Sequence, residues 1–369
     1  MGPPRSGVLG WFSLEIKSAI DNYRPGKEGW GAGTIAVELE LETQFSLLPK
    51  PSVRSINRYL KSTQKIRAYW KAEKLPEEPV IFSSYAHDVW QMDAEGNKRV
   101  EGVGTVSTIN LKDTFSKTYV TSYPCSLAGN FNHPKKEDYQ CALRLGFLEF
   151  GRCNRLQLDH ESIYYENTNA TPFPTPFHLW VLSMGISISF TPKAKPYKQG
   201  AVERKHRTMH QQTCAGRAFN NWADLFAFCQ QRRHRLNHHI PCRMLAGKAP
   251  LQVFPEAINS DKPYDPRREE EYFDLGRIYE YLAQGRWIRA VTAQRTFCLG
   301  ARTYALKEAT PNTSVVITFD PLSKDFLCST VDGALIQHLQ PKGLSFKELC
   351  GNLEGFINWV SNCPNVKYP

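Results

Sequence analysis

The chain has 369 residues, of which 41% are hydrophobic and 12% are aromatic, and its formal net charge is +10. This length exceeds what one hydrophobic core normally serves, so we expect two or three domains, and the composition excludes wholesale disorder. No apolar run approaches the roughly 18 residues of a membrane-spanning helix, and the N-terminus lacks the apolar core of a signal peptide.

Residues 1–75 show helical periodicity and are predicted to form an all-α helix-turn-helix region. After two helical patterns and a proline-containing turn, Ser52 is placed to cap a short helix, S-V-R-S-I-N-R-Y-L-K. We expect its apolar side chains to face inward: Val53, Ile56 and Leu60. Its outward side chains are polar or basic: Arg54, Asn57, Arg58 and Lys61. Such a helix suits a DNA major groove, although many amphipathic helices share the pattern.

Short β-prone runs follow the N-terminal region. Three strands, a helix and a fourth strand are predicted in chain order at 89–93, 105–111, 118–123, 135–150 and 155–159. Crossover connections are right-handed and bring the ends of parallel strands to one edge of a sheet. The acids that end the first and fourth strands, Asp93 and Asp159, are therefore expected to lie side by side.

A third acid, Glu203, opens a long basic helix in K-P-Y-K-Q-G-A-V-E-R-K-H-R-T. Carboxylates brought together from distant positions suit phosphoryl transfer, because hard cations such as Mg²⁺ or Mn²⁺ prefer carboxylate oxygens. Each acid also has a plain structural explanation, since an Asp at a strand end commonly just terminates the strand. Asp113, which ends the second predicted strand, is the strongest rival ligand.

The positive charge is concentrated near Glu203. Residues 193–243 contain eleven Lys or Arg and only two acids, a net charge of +9. Such a band is expected to bind DNA phosphates with a steep salt dependence, because neutralised phosphates release counterions. The candidate DNA-binding residues here are Lys195, Lys198, Arg204, Lys205, Arg207 and His210. An isolated basic run is commonly only a solvated helix face, but next to acids that bind cations we favour DNA binding.

The C-terminal part has a different composition. Residues 256–284 are predicted to form a charged linker. Residues 285–342 contain five short β-prone pieces, which predict a small SH3-like β-barrel that contacts DNA or another subunit, or that only stabilises the chain. Residues 343–369 are predicted to form a helical tail that docks on the same chain or recruits a partner.

The cysteines bear on the compartment. The chain has ten, and no two stand in a C-x-x-C pair. This scattered spacing argues against a disulfide scaffold and against a structural zinc site, and it is ordinary for a reducing compartment. We therefore expect a cytoplasmic protein.

The order and surroundings of the three acids resemble the DDE integrase and transposase superfamily, whose catalytic core is RNase H-like. The resemblance covers roughly residues 85–255 and includes L-K-D-T-F-S-K-T-Y, G-I-S-I-S-F-T-P and N-H-H-I-P-C-R-M-L-A-G-K-A-P in the same order. It implies an α/β core with a mixed five-stranded sheet over residues 80–255. The preceding helices resemble the helix-turn-helix of bacterial insertion-sequence transposases.

Two features depart from the family pattern. Between Asp159 and Glu203 lie 43 residues, more than the usual family spacing. We place the excess in Y-Y-E-N-T-N-A-T-P-F-P-T-P-F-H, predicted as a surface loop, where added length costs little closure entropy. His160 and Glu161 replace the Asn-Gly that often follows the second acid, which leaves the local turn open.

The resemblance implies a DNA transposase or integrase that uses two Mg²⁺ or Mn²⁺ ions. Asp93 would contact both ions, Asp159 one of them and Glu203 the other. Water would first expose a 3′-hydroxyl at the element end, and that hydroxyl would then attack target DNA. The expected partners are the element's terminal repeats, target DNA, further copies of this chain and an optional accessory target-selection protein.

Two other functions remain as alternatives. One is a catalytically inactive, transposase-derived DNA-binding regulator, and the other is an RNase H-like nuclease that only hydrolyses. In a bacterial host, DNA binding would associate the protein with the nucleoid.

Overall fold

The computed structural model of the chain describes residues 7–66, 83–127, 133–166, 169–191, 208–364 and 366. Backbone contacts divide the chain into two compact units, each made of three segments. The first unit comprises Met1–Ala86, Ala94–Pro134 and Ala194–Ile258, and the second comprises His87–Asp93, Lys135–Lys193 and Asn259–Pro369. Over the described ranges, none of the helices has the length and hydrophobicity of a membrane-spanning segment. The domain ranges inferred from the sequence stay predictions.

Three helices open the first unit: α1 at Leu14–Tyr23, α2 at Ala32–Leu41 and α3 at Val53–Ser62. Helices α1 and α3 begin at serine N-caps, because the hydroxyls of Ser13 and Ser52 accept first-turn N–H groups. The helices share one core, which includes Ile16, Ile20, Ile35, Leu39, Ile56 and Leu60. The expectation that Val53 faces inward is wrong. Its side chain is 45% exposed, because it lies in the first turn of α3, at the margin of this core.

A five-stranded sheet has the order β3-β2-β1-β4-β5. Its strands are β1 at Val89–Val100, β2 at Gly104–Asp113, β3 at Tyr119–Ser126, β4 at Arg155–Leu158 and β5 at Ser187–Phe190. Strands β2 and β3 are antiparallel, whereas β4 runs parallel to both β1 and β5. The predicted mixed five-stranded sheet is therefore confirmed. Strand β1 is longer than predicted and passes from the second unit into the first after Asp93.

Two helices of the second unit flank β4 in the sequence: α4 at Lys136–Phe150 and α5 at Pro176–Ser183. Helix α4 buries the aromatic and aliphatic side chains whose helical spacing predicted it: Tyr139, Leu143, Phe147 and Phe150. Helix α5 starts at Pro176 because the hydroxyl of Thr175 accepts the N–H of His178, a standard N-cap. Most of its side chains are buried, so α5 is an internal helix.

The segment between β4 and α5 is not the surface loop that its Pro, Asn and Thr content predicts. Tyr164 is fully buried and Phe173 is 6% exposed. The ring of Phe173 packs edge-on against Trp287, with centroids 4.9 Å apart. Arg289 forms an ion pair with Glu166 at 3.0 Å. The composition argument fails here because a few aromatic side chains anchor the segment to the C-terminal part of its own unit.

Residues 208–213 of the first unit are helical, and the unit ends with two further helices, α6 at Trp222–His238 and α7 at Pro250–Val253. Arg232 of α6 is 1% exposed. Its guanidinium donates to Glu38 and to Gln212, both at 2.7 Å, and lies 3.9 Å from the ring centroid of Trp30. This buried cation therefore ties the N-terminal helices to α6.

The charged segment predicted as a linker contains α8 at Glu269–Tyr272 and α9 at Leu275–Ala283. Glu269 is fully buried and accepts two hydrogen bonds from Arg144, at 2.6 and 2.7 Å. Trp180 donates to it at 3.0 Å, and the hydroxyl of Tyr264 also donates to it. Composition alone did not reveal this buried pair, which makes the segment part of the core of the second unit.

Six short strands follow, one more than predicted: β6 at Arg286–Ala290, β7 at Thr296–Leu299, β8 at Arg302–Ala305, β9 at Ser314–Asp320, β10 at Asp325–Ser329 and β11 at Leu335–Leu339. They form a four-stranded sheet, β11-β10-β9-β6, and a two-stranded sheet, β7-β8. The missed strand, β7, has only four residues. Closure of these strands into an SH3-like barrel stays a prediction.

The tail forms α10 at Phe346–Leu349 and α11 at Leu353–Ser361. The two helices are separate because Gly351 adopts a left-handed conformation, with φ of +64°. Gln140 donates to the carbonyl of Leu349 at 2.8 Å, and Arg144 donates to that of Cys350 at 2.6 Å. The tail therefore docks on its own chain, as one of the two predicted outcomes requires.

Candidate active site

Asp93 lies within β1 and Asp159 directly follows β4, which runs parallel to β1. The register of β1 against β4 pairs Gln91 with Gln157, and each acid is two residues further on. Side chains two residues apart share one face of a strand. The side-chain amides of Gln91 and Gln157 meet at 2.6 Å on that face. The carboxylates of Asp93 and Asp159, the next residues on the same face, therefore lie near each other.

The proximity of these acids has an electrostatic consequence. Both residues are half-buried. Burial, together with the negative charge of Asp93, raises the pKa of Asp159, while hydrogen bonds from backbone N–H groups oppose the rise. Two carboxylates in this relation repel each other when both are ionised, and a bound cation would relieve the repulsion. The donor set therefore fits a hard divalent cation.

Glu161, which with His160 stands in place of Asn-Gly, contacts Asp159 in this candidate site. Its backbone N–H donates to Oδ1 of Asp159 at 2.9 Å, which closes a tight turn directly after β4. Its carboxylate accepts a hydrogen bond from the hydroxyl of Tyr139 at 3.1 Å. With His160 and Glu161 in place of Asn-Gly, the chain therefore still turns directly after β4. The only sequence signal for this turn was Asp159 itself, because an Asp side chain commonly accepts a hydrogen bond from the backbone N–H two residues later.

The third predicted acid, Glu203, lies outside the described residues. The same holds for five of the predicted DNA-binding residues: Lys195, Lys198, Arg204, Lys205 and Arg207. Among the residues that the structure does describe, no group of three His, Cys, Asp or Glu side chains is arranged to hold a metal ion. The described part of the candidate site is thus a pair of carboxylates.

Asp113, the strongest rival ligand, has a structural role. It is fully buried, and its Oδ2 accepts both the backbone N–H and the hydroxyl of Ser116, at 2.8 and 2.5 Å. These bonds fix the turn between β2 and β3. His210 is half-buried, and its Nδ1 lies 3.9 Å from Glu95 of β1. Burial, reinforced by the charge of Lys98, lowers the pKa of His210, and its contact with DNA stays a prediction.

The polar face of α3 borders an open groove of about 590 Å³. The groove is lined by Val53, Arg54, Asn57, Arg58, Lys61 and Ile66. The four side chains predicted to face outward thus do so together, with three cations around one depression. This arrangement suits a polyanion, and their contact with DNA stays a prediction.

Solved structures similar to this chain include two forms of one catalytic core domain and one intasome. No family model matches the chain. The catalytic core domain of HTLV-2 integrase in complex with magnesium is similar in its trimeric form at 14% identity and a TM-score of 0.34, covering 47% of this chain and 99% of that chain. Its dimeric form gives 15% identity and a TM-score of 0.33, covering 46% and 97%.

A third neighbour is the simian T-cell lymphotropic virus intasome in complex with the PP2A regulatory subunit B56 gamma. It shares 12% identity at a TM-score of 0.38, covering 83% of this chain and 96% of that chain. These neighbours are retroviral integrases at low identity. The roles proposed below rest on the strand register and on the carboxylates.

Proposed function

We propose that the chain is a divalent-cation-dependent polynucleotidyl transferase that cleaves and joins DNA, in the manner of a transposase or integrase. The observation that carries this proposal is the register of β1 against β4, which supports a pair of adjacent carboxylates, Asp93 and Asp159. Hydrolysis or transesterification of a phosphodiester needs an activated oxygen nucleophile and a stabilised leaving oxygen. Paired carboxylates that hold hard cations serve both needs.

The roles proposed for the three acids follow from this chemistry. Asp93 would contribute to holding both of two Mg²⁺ or Mn²⁺ ions, Asp159 would hold one of them, and Glu203 would hold the other. Such ions, when bound, polarise phosphoryl oxygens and lower the pKa of water. The chain itself supplies orientation: the N–H of Glu161 fixes the Asp159 carboxylate, and the Gln91–Gln157 bond keeps the two strands aligned.

DNA binding is proposed for the groove on α3 and for the basic band. Arg54, Arg58 and Lys61 line that groove and can neutralise phosphates, while Asn57 can read a base edge. The proposed ligand of the groove is the terminal repeat of a mobile element. Since two element ends must be held together for joining, we propose that the protein acts as an oligomer on DNA.

The test is a cation-dependent cleavage and joining assay on DNA that carries the inverted repeats flanking the coding region. Wild type should nick this DNA with Mn²⁺ and join its 3′ ends to a second duplex. Asp93→Asn and Asp159→Asn should each lose about 100-fold or more of both activities. Asp332→Asn, at an exposed position, is the matched control and should retain them.

The remaining outcomes separate the alternatives. Nicked products without joined products would indicate a nuclease that only hydrolyses. End-specific binding without any cation-dependent reaction in wild type would indicate a DNA-binding regulator. Equal activity of wild type and Asp93→Asn would contradict the proposed role of the carboxylate pair.

A further inference from the structure

Glu161 links Asp159 to the helix α4 through two hydrogen bonds. Its backbone N–H donates to Oδ1 of Asp159 at 2.9 Å, which restricts rotation of that carboxylate. Its own Oε2 accepts from the hydroxyl of Tyr139 at 3.1 Å. We call Tyr139, Glu161 and Asp159 the tyrosine relay.

The donor of the relay is held rigidly by packing. Tyr139 is 1% exposed, and its ring lies edge-on to Tyr164 at 5.1 Å and to Phe177 at 6.1 Å. Aromatic rings in such contacts occupy one position in a close-packed core. The hydroxyl of Tyr139 therefore offers Glu161 a donor at a fixed place.

Tyr164 provides a natural comparison for Tyr139. It belongs to the same aromatic cluster, with its ring 5.5 Å from that of Phe177, and it is also fully buried. Among the described residues, however, its hydroxyl does not donate to the Glu161 carboxylate. The hydroxyls of these two neighbouring tyrosines thus differ, because that of Tyr139 donates to the Glu161 carboxylate and that of Tyr164 does not.

We propose that Tyr139 and Glu161 are positioning residues that hold the Asp159 carboxylate in the orientation in which it binds a divalent cation. This inference rests on the proposed function, since it requires that Asp159 binds a cation. Residues that hydrogen-bond behind a ligand commonly set its orientation, and their loss weakens metal binding by about 10- to 100-fold. Neither residue needs to touch the cation.

The experiment measures Mn²⁺ affinity of the full chain without DNA, by titration with detection of free Mn²⁺ by electron paramagnetic resonance. Asp159→Asn identifies the site, because it should abolish the saturable binding. Tyr139→Phe keeps the ring and removes the hydroxyl, and it should raise the dissociation constant by about 10-fold. Tyr164→Phe makes the same change to the neighbour whose hydroxyl does not donate to Glu161, and it should leave the affinity unchanged.

A second pair of variants separates positioning from direct binding and guards against a failure to fold. Glu161→Gln keeps a side-chain oxygen that can accept from Tyr139, so its affinity should stay close to that of wild type. Glu161→Ala removes the acceptor and should weaken binding by about as much as Tyr139→Phe does. Thermal unfolding with EDTA checks that each variant is folded.

Three results would overturn the inference. Equal Mn²⁺ affinity of wild type and Tyr139→Phe would show that the tyrosine relay does not position Asp159, while the proposed function would stand. An equal loss in Glu161→Gln and Glu161→Ala would make Glu161 a cation ligand and not a positioning residue. Absence of saturable binding in wild type would overturn the proposed function together with the relay.

Discussion

The side-chain amide of Gln91 donates a hydrogen bond to the side-chain oxygen of Gln157 across two parallel strands, over a distance of 2.6 Å. The two residues lie two positions before Asp93 and Asp159, on the same faces of β1 and β4. Gln157 is 9% exposed, so this bond forms largely out of water. We infer that it fixes the register that makes the two acids neighbours.

Gln157→Leu is expected to destabilise the protein by about 1 to 3 kcal/mol, because it leaves a polar group of Gln91 without this partner in a partly buried place. The double variant Gln91→Leu with Gln157→Leu should recover part of the loss, since both partners become apolar. Urea unfolding of wild type, both single variants and the double variant measures the difference. The account would be contradicted if the double variant lost more free energy of unfolding than the two single variants lose together.

The sequence was sufficient for the elements that carry the candidate acids. Alternation and helical spacing predicted α4 and β4 close to their observed bounds, because these elements depend on local patterns of apolar residues. The start of β1 was also predicted, but the strand continues past Asp93 to Val100. The crossover rule then placed Asp93 beside Asp159 without any structural information. Local pattern and a single topological rule were thus enough to predict that these two acids are neighbours.

The contacts that the sequence did not reveal are long-range. Glu161 could not be distinguished from other acids, because its partner Tyr139 is 22 positions away. Burial of Glu269 was hidden by the charged residues around it, and its partner Arg144 is 125 positions away. Such pairs depend on how elements dock, which composition and periodicity do not encode.

Arg144→Met is expected to destabilise the second unit by about 3 to 5 kcal/mol, because it leaves the carboxylate of Glu269 buried without its main partner. Arg144→Met with Glu269→Leu should recover much of this loss. The exposed pair of Arg268 and Glu271 is the control, and Glu271→Gln should cause no measurable change. Denaturant unfolding followed by tryptophan fluorescence is the measurement. If Arg144→Met and the double variant were equally stable, the buried charge of Glu269 would not be the cause of the lost stability.

The stability of the protein should fall as the pH decreases from about 6.5 to about 4, in part because of His178. Burial lowers the pKa of this imidazole to about 4, below its unfolded value, so the unfolded state binds the proton first. The contribution of His178 is therefore complete above pH 6.5 and lost by pH 4, with a size of roughly 2 to 3 kcal/mol. Unfolding of wild type and His178→Phe at several pH values tests this. The variant should lose less stability over that interval, and parallel curves would contradict the prediction.

Arg54→Ala and Arg58→Ala are each expected to weaken DNA binding at low salt. Each should also reduce the slope of log affinity against log salt by about 1, because one phosphate contact and its released counterion are lost. Asn57→Ala should instead lower the preference for the element end, by about 1 to 3 kcal/mol relative to unrelated DNA, if this side chain reads a base.

Lys347→Ala, at an exposed position in α10, is the control for loss of charge. Fluorescence anisotropy over a salt series measures all four variants. Unchanged slopes for both arginine variants would exclude the groove on α3 as a phosphate-binding surface, and DNA binding would then depend on the basic band.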